Sequence, residues 1–124
     1  MNNLLEYFSF LKEKGTPLSE INPGSDEFAI PISDAIKALD LLIKYQIPIS
    51  GGDVLTIDKN NKLAYAYRVW GNEYHSLNWN CDQFIDENEI EYIKRSYIIA
   101  FAFINKAKDT AMKLRQKGLI VFVI

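Results

Sequence analysis

The chain has one cysteine and one histidine. Cys81 alone excludes an internal disulfide and points to a reducing compartment, the cytoplasm. His75, with Glu73 and Cys81 as neighbours in sequence, matches no zinc spacing, because a closed structural site takes four ligands. No metal and no cofactor is expected. Basic excess is also missing: 14 Lys and Arg stand against 16 Asp and Glu, for a net charge of −2. That excludes a general nucleic-acid binder. No apolar run approaches the ~18 residues of a membrane span. The first six residues, Met1 to Glu6, lack the basic and apolar blocks of a secretory signal.

Catalytic signatures are equally scarce. There is no GxSxG, no phosphate-binding Walker loop and no GxGxxG. Cys81 as a nucleophile with His75 as its base would rest on six residues of loop, which carry no special geometry. Cys81 reads instead as a small, partly buried apolar residue, and no enzyme is expected.

What is present is one domain spanning residues 1–124. Hydrophobic residues make up 48% and charged residues 24%, the balance of a soluble globular protein. Aromatics reach 13%, enough to fill a core and to leave some for a binding surface. Residues 15–27 are rich in turn formers and predict a surface loop.

The pattern predicts an α+β fold: a small mixed or antiparallel sheet of about four strands packed by two to three helices. Leu4, Phe8 and Leu11 mark a first amphipathic helix ending at Gly15. Phe28 to Ile30 predicts a short strand. Ser33 is the expected N-cap of a second helix carrying Ile36, Leu39, Leu42 and Ile43. Residues 54–57 and 62–70 predict a hairpin around the turn Asp58 to Asn61. Asp86 and Glu89 resemble a capping box. The seam Ile90, Ile93, Tyr97, Ala100, Ile104, Ala107, Ala111 and Leu114 follows. A helix over 86–117 would be about 48 Å long, against a domain diameter of roughly 35 Å, so it must bend, break near Asn105 or project. Leu119 to Ile124 is an unbroken apolar strand, either interior or an edge open to pairing with a second copy.

The densest local signal is Gly51-Gly52-Asp53-Val54 after Pro48. It predicts a tight turn with a carboxylate at the root of a strand. Gly-Gly-Asp opens like the signature of diguanylate cyclases, but Val54-Leu55 stands where that signature has Glu-Phe. Asp82, Asp86, Glu87, Glu89 and Glu91 form an acidic stretch with no Lys or Arg among them. Trp70, Tyr74 and Trp79 precede it. Aromatics beside acids suit docking on a cationic partner.

The order of these features resembles the immunity protein 40 family of bacterial polymorphic toxin systems. The resemblance is carried by the helix Ala35 to Tyr45, by Ile47-Pro48-Ile49 and by Gly51-Gly52-Asp53-Val54. It continues through a tryptophan matched by Trp79, the segment Tyr92-Ile93-Lys94-Arg95-Ser96, Phe103-Ile104 and the last strand. It implies a non-catalytic protein that binds and neutralises a toxin in the cytoplasm. The expected contacts are Asp53, Trp70, Tyr74, Trp79, Asp82, Asp86 and Glu87, toward a toxin of basic character. The alternative is a small-molecule-binding or enzymatic domain that uses Asp53 beside His75.

Overall fold

The computed structural model describes residues 4–124; Met1 to Asn3, half of the stretch read above for a signal, lie outside them. The elements run α1 (Leu5–Lys14), β1 (Thr16–Pro17), a 3-10 turn (Leu18–Glu20), β2 (Phe28–Pro31) and α2 (Ile32–Lys44). Then come β3 (Gly51–Ile57), β4 (Leu63–Tyr65), α3 (Ala66–Trp70), a second 3-10 stretch (Asn72–Leu77), β5 (Trp79–Asn80), α4 (Glu89–Leu114) and β6 (Gly118–Val123). This is the expected α+β class, with six strands in the order β1-β2-β6-β3-β4 and β5 also paired to β3. Every pairing is antiparallel.

β6 explains its own sequence. It lies between β2 and β3, with Ile120 beside both Ile30 and Val54. Its Leu119, Ile120, Val121 and Phe122 are buried. A strand covered on both faces needs no polar alternation. β6 is the interior strand, paired with β3 from Gly118 to Val123 along one edge and with β2 at Leu119 and Ile120 along the other.

Ile30, Val54, Ile120 and Phe122 face the helices, where Leu39, Leu42, Ala100 and Ile104 complete the main core. Ala29, Leu55, Leu119 and Val121 face the other way, onto Leu18 and Leu63. Each such Leu or Ile contributes roughly 1.5–3 kcal/mol by leaving water.

α4 is one uninterrupted helix of 26 residues, continuous through Asn105, hence about 39 Å long. Its buried stripe is Tyr92, Ile93, Ser96, Ala100, Ile104, Ala107 and Ala111. The three alanines let the helix lie close to its neighbours. Ile90, expected in the seam, is exposed. The capping box belongs to Asn88, not Asp86: Glu91 N donates to Asn88 Oδ1 at 2.8 Å, and Asn88 N donates to Glu91 Oε1 at 3.2 Å.

Other expectations shift for local reasons. α2 begins at Ile32 after Pro31, with no side-chain cap, so Ser33 is already inside it. α1 buries Tyr7, Phe10 and Leu11, and Phe8 is partly exposed. Within 15–27, Thr16 and Pro17 pair with β2, and Leu18 is buried under the sheet. The hairpin's second strand stops at Tyr65, and 66–70 is helical. The edge of β3 beyond that point is occupied by β5, so the chain has to leave the sheet.

Candidate functional site

The chain reverses before the two glycines, not at them. Gln46 adopts a left-handed φ of 58°, and Ile47 N donates to Leu42 O at 2.9 Å, closing α2. Gly51 and Gly52 are strand residues of β3, flanked by β5 and β6. Their role is close approach. A Cβ on Gly52 would stand 2.5 Å from Trp79 Cζ2 and 2.6 Å from Cζ3. The indole therefore lies across the strand where a side chain would be.

That packing corrects the expectation for Trp79. It is 5% exposed, stacked on Phe103 at 5.3 Å and edge-on to Phe122 at 6.5 Å. It is a core residue and offers no surface for a contact. Trp70 and Tyr74 are half-buried on the 66–77 excursion, ring to ring at 6.0 Å. The Nε1 atoms of both tryptophans are buried without a hydrogen-bond partner among the described residues. Asn78 closes the excursion, its Oδ1 accepting from Val54 N at 2.8 Å, where neither β4 nor β5 pairs with β3.

Asp53 alternates to the face away from the helices, opposite Val121. It caps no turn, and its carboxylate has no hydrogen bond or ion pair among the described residues. Burial raises its pKa, with His75 opposing. Glu27 is raised by burial and then by Asp53. His75 is exposed, its ring edge-on to Tyr67 at 4.6 Å. A cleft of about 480 Å³ lies elsewhere, between the start of α2 and the last turns of α4, and does not include Asp53. No group of three or more His, Cys, Asp or Glu is arranged to hold a metal among the described residues. Cys81 is buried, and burial pushes its thiol up, away from the reactive thiolate.

The acidic stretch is organised by a residue outside it. Arg95, from the second turn of α4, reaches back over residues 81–87. Its Nε donates to Glu87 Oε2 at 2.7 Å and its Nη2 to Glu87 Oε1 at 2.7 Å. Nη2 also donates to Asp82 O at 2.6 Å, and Nη1 to Cys81 Sγ at 3.3 Å. The guanidinium lies 3.9 Å from the centre of the Phe84 ring. Tyr92 Oη donates to Cys81 O at 2.7 Å. The hydrogen bond from Arg95 holds the Glu87 carboxyl below its usual range. Glu87 is therefore a clamp for the loop, its side chain 8% exposed, and not the free contact expected of it.

Asp82 and Asp86 do remain exposed. Beside them the clamped loop displays Phe84 at 62% and Ile85 at 102% exposure, followed by Ile90 at 65%. Phe84, Ile85, Asp86, Glu87 and Glu91 line a shallow cleft of about 440 Å³. Sequence reasoning passes over Phe84 and Ile85, and names Arg95 only as part of the Tyr92 to Ser96 segment, with no role at the loop. The available signal was an apolar pair inside an acidic run, outside any helical or strand period.

Residues 17–124, nearly the whole chain, match the family described as Immunity protein 40. Comparison with curated proteins and with solved structures finds no match.

Proposed function

The chain belongs to the immunity protein 40 family, and from that premise we propose that it binds a cognate protein toxin and neutralises it without catalysis. In this account residues 1–124 act as one domain in the bacterial cytoplasm, as part of a polymorphic toxin system. No helix among the described residues is long and apolar enough to cross a membrane. Neutralisation is by occlusion of the toxin's active site or of a surface it needs.

The observation that carries the docking surface is Ile85. A fully exposed isoleucine on a loop fixed by four Arg95 hydrogen bonds is an apolar anchor ordered before binding. Preordering lowers the entropic cost of association. An apolar centre with a polar rim is the common anatomy of a protein interface. Here the rim is Asp82, Asp86, Glu89 and Glu91, which favours a basic toxin surface and speeds encounter at low salt. Trp70 and Tyr74 stay as candidate contacts through their exposed edges, and Asp53 through its unpartnered carboxylate.

The test is capture of the toxin from the source cell by tagged protein, followed by expression of the captured polypeptide alone and with this chain. Toxicity alone and survival together support the proposal. The second reading, a small-molecule site at Asp53, is favoured by that same carboxylate, half-buried and with no protein partner among the described residues. It predicts a metabolite retained by the purified protein and released by Asp53→Asn.

A further inference from the structure

A cleft of about 270 Å³ opens between α1 and the ends of β2 and β6. Its walls are apolar: Tyr7 and Leu11 from the helix, Phe28 from β2 and Phe122 from β6. Its charged residues are Asp26 and Glu27, and no Lys, Arg or His lines it. Asp53 is not part of it. Pockets for drug-sized ligands measure roughly 300–1,000 Å³, so this space suits one side chain or a molecule of that size.

Two of these residues carry polar atoms that the fold does not use. Tyr7 is 2% exposed, and its hydroxyl has no hydrogen-bond partner among the described residues. Buried hydroxyls are ordinarily bonded, since one without a partner has lost its bonds to water. The Glu27 carboxylate also has no hydrogen bond or ion pair among the described residues. Its main chain is nevertheless fixed: Glu27 N donates to Ser25 Oγ at 3.1 Å, and Glu27 O accepts from Leu18 N at 2.9 Å. Burial raises the Tyr7 pKa, and the nearby Glu27 charge raises it further. Glu27 is raised in turn by burial, then by Asp53 and by Asp26. A hydroxyl and a carboxylate thus line one apolar cleft, close enough to feel each other and both without a partner. A cation that donates several hydrogen bonds satisfies both, and an ammonium has three donors.

We propose that this cleft binds an alkylammonium group, an amine on an apolar stem. The stem lies against Leu11, Phe28 and Phe122, as the methylenes of a lysine do on apolar surface. The ammonium donates to the Glu27 carboxylate and to Tyr7 Oη. The group comes from a lysine of a protein partner or from a free amine. Placement gives a lysine its route. Cys81 N donates to Ser50 O at 2.7 Å, and Ser50 N donates to Val123 O at 2.8 Å. Val123, 38% exposed, lines the cleft. The cleft therefore opens at the strand ends from which the 82–87 loop departs. The proposal stands on the cleft itself and does not depend on a toxin being found.

The test is NMR titration of the purified protein with n-butylamine at neutral pH, with n-butanol and butyrate as controls of equal length. The amine is expected to shift the Tyr7, Phe28 and Phe122 signals saturably, with a dissociation constant in roughly the millimolar range. The alcohol and the acid are expected not to saturate in that range. Glu27→Gln keeps the shape of the side chain and is expected to weaken the amine about tenfold. Tyr7→Phe is expected to weaken it about threefold without lowering thermal stability, because the hydroxyl bonds nothing in the fold. Absence of a saturable shift overturns the proposal. So does equal binding of the alcohol, or a Glu27→Gln protein that binds the amine as wild type does. Two readouts then identify the source. A captured protein partner that butylamine displaces and Glu27→Gln weakens supplies a lysine. A small amine retained by the purified protein, seen by native mass spectrometry, is a free ligand.

Discussion

Gly52 and Trp79 share one volume. They are cross-strand partners in β3 and β5, and the indole fills the space that a side chain at position 52 would take. Glycine weakens a strand interior because it has nothing to pack; here an aromatic from the next strand supplies the missing contact. Gly52→Ala is expected to destabilise by about 1–3 kcal/mol through overpacking, and Trp79→Ala by about 3–5 kcal/mol. Made together, the two changes should cost less than their sum, since the second relieves the first. Urea denaturation of the four proteins measures this, and strict additivity contradicts it.

Arg95→Ala is expected to free the loop while sparing the core. Hydrogen exchange at residues 82–87 should rise sharply, while amides of β3 and β6 keep their protection. Glu87 has a folded pKa below its ordinary value, so its contribution is present above the unfolded pKa and lost as pH falls through the folded one. Acid should therefore mobilise the loop of the wild-type protein as well. Unchanged exchange in Arg95→Ala would remove the clamp from the account.

Asp53→Asn is expected to stabilise the protein. Burial raises the folded pKa above the unfolded one, so folding favours the protonated form. That advantage is complete below the unfolded value of ~3.9 and lost as pH rises through the folded value. Neutral pH is thus where the ionised carboxylate costs stability and where the amide should gain it. The decline of stability across the weakly acidic range should become shallower. It should not vanish, because Glu27 is raised by burial too. Denaturation midpoints at neutral and acid pH decide it, and a less stable variant at neutral pH contradicts the assignment. Proteins tolerate such cost where function uses the group.

Much of the fold was readable from local pattern. α2 and α4 announce themselves by three-four spacing, and β6 by an unbroken apolar run that fits an interior strand or an edge, a choice that its pairing with β2 and β3 decides. The segment Tyr92 to Ser96, singled out by family resemblance, proves to tie α4 to the rest. Tyr92 bonds Cys81, Arg95 clamps the loop, and buried Ser96 Oγ accepts from Ile49 N at 3.1 Å. What local pattern could not give was pairing across distance. A strand over 66–70 was expected from alternation alone, but β5 already occupies that edge of β3. Gly51-Gly52 looks like a turn until Trp79 is seen to lie on it. Glu87 looks free until Arg95, eight residues on, folds back. Local pattern drew attention to the acids of the 82–91 stretch and not to Phe84 and Ile85, because the display of that apolar pair follows from the way Arg95 holds the loop.

The most direct measurement is neutralisation by two proteins of equal stability, wild type and Ile85→Asp, against the toxin captured from the source cell. The account predicts that cells expressing the toxin survive with wild type and die with Ile85→Asp, and that calorimetry shows binding weakened at least tenfold, the scale of an interface hot spot. Equal survival and equal affinity with Ile85→Asp would contradict the docking loop. A stoichiometric partner that harms no cell when expressed alone would contradict toxin neutralisation itself.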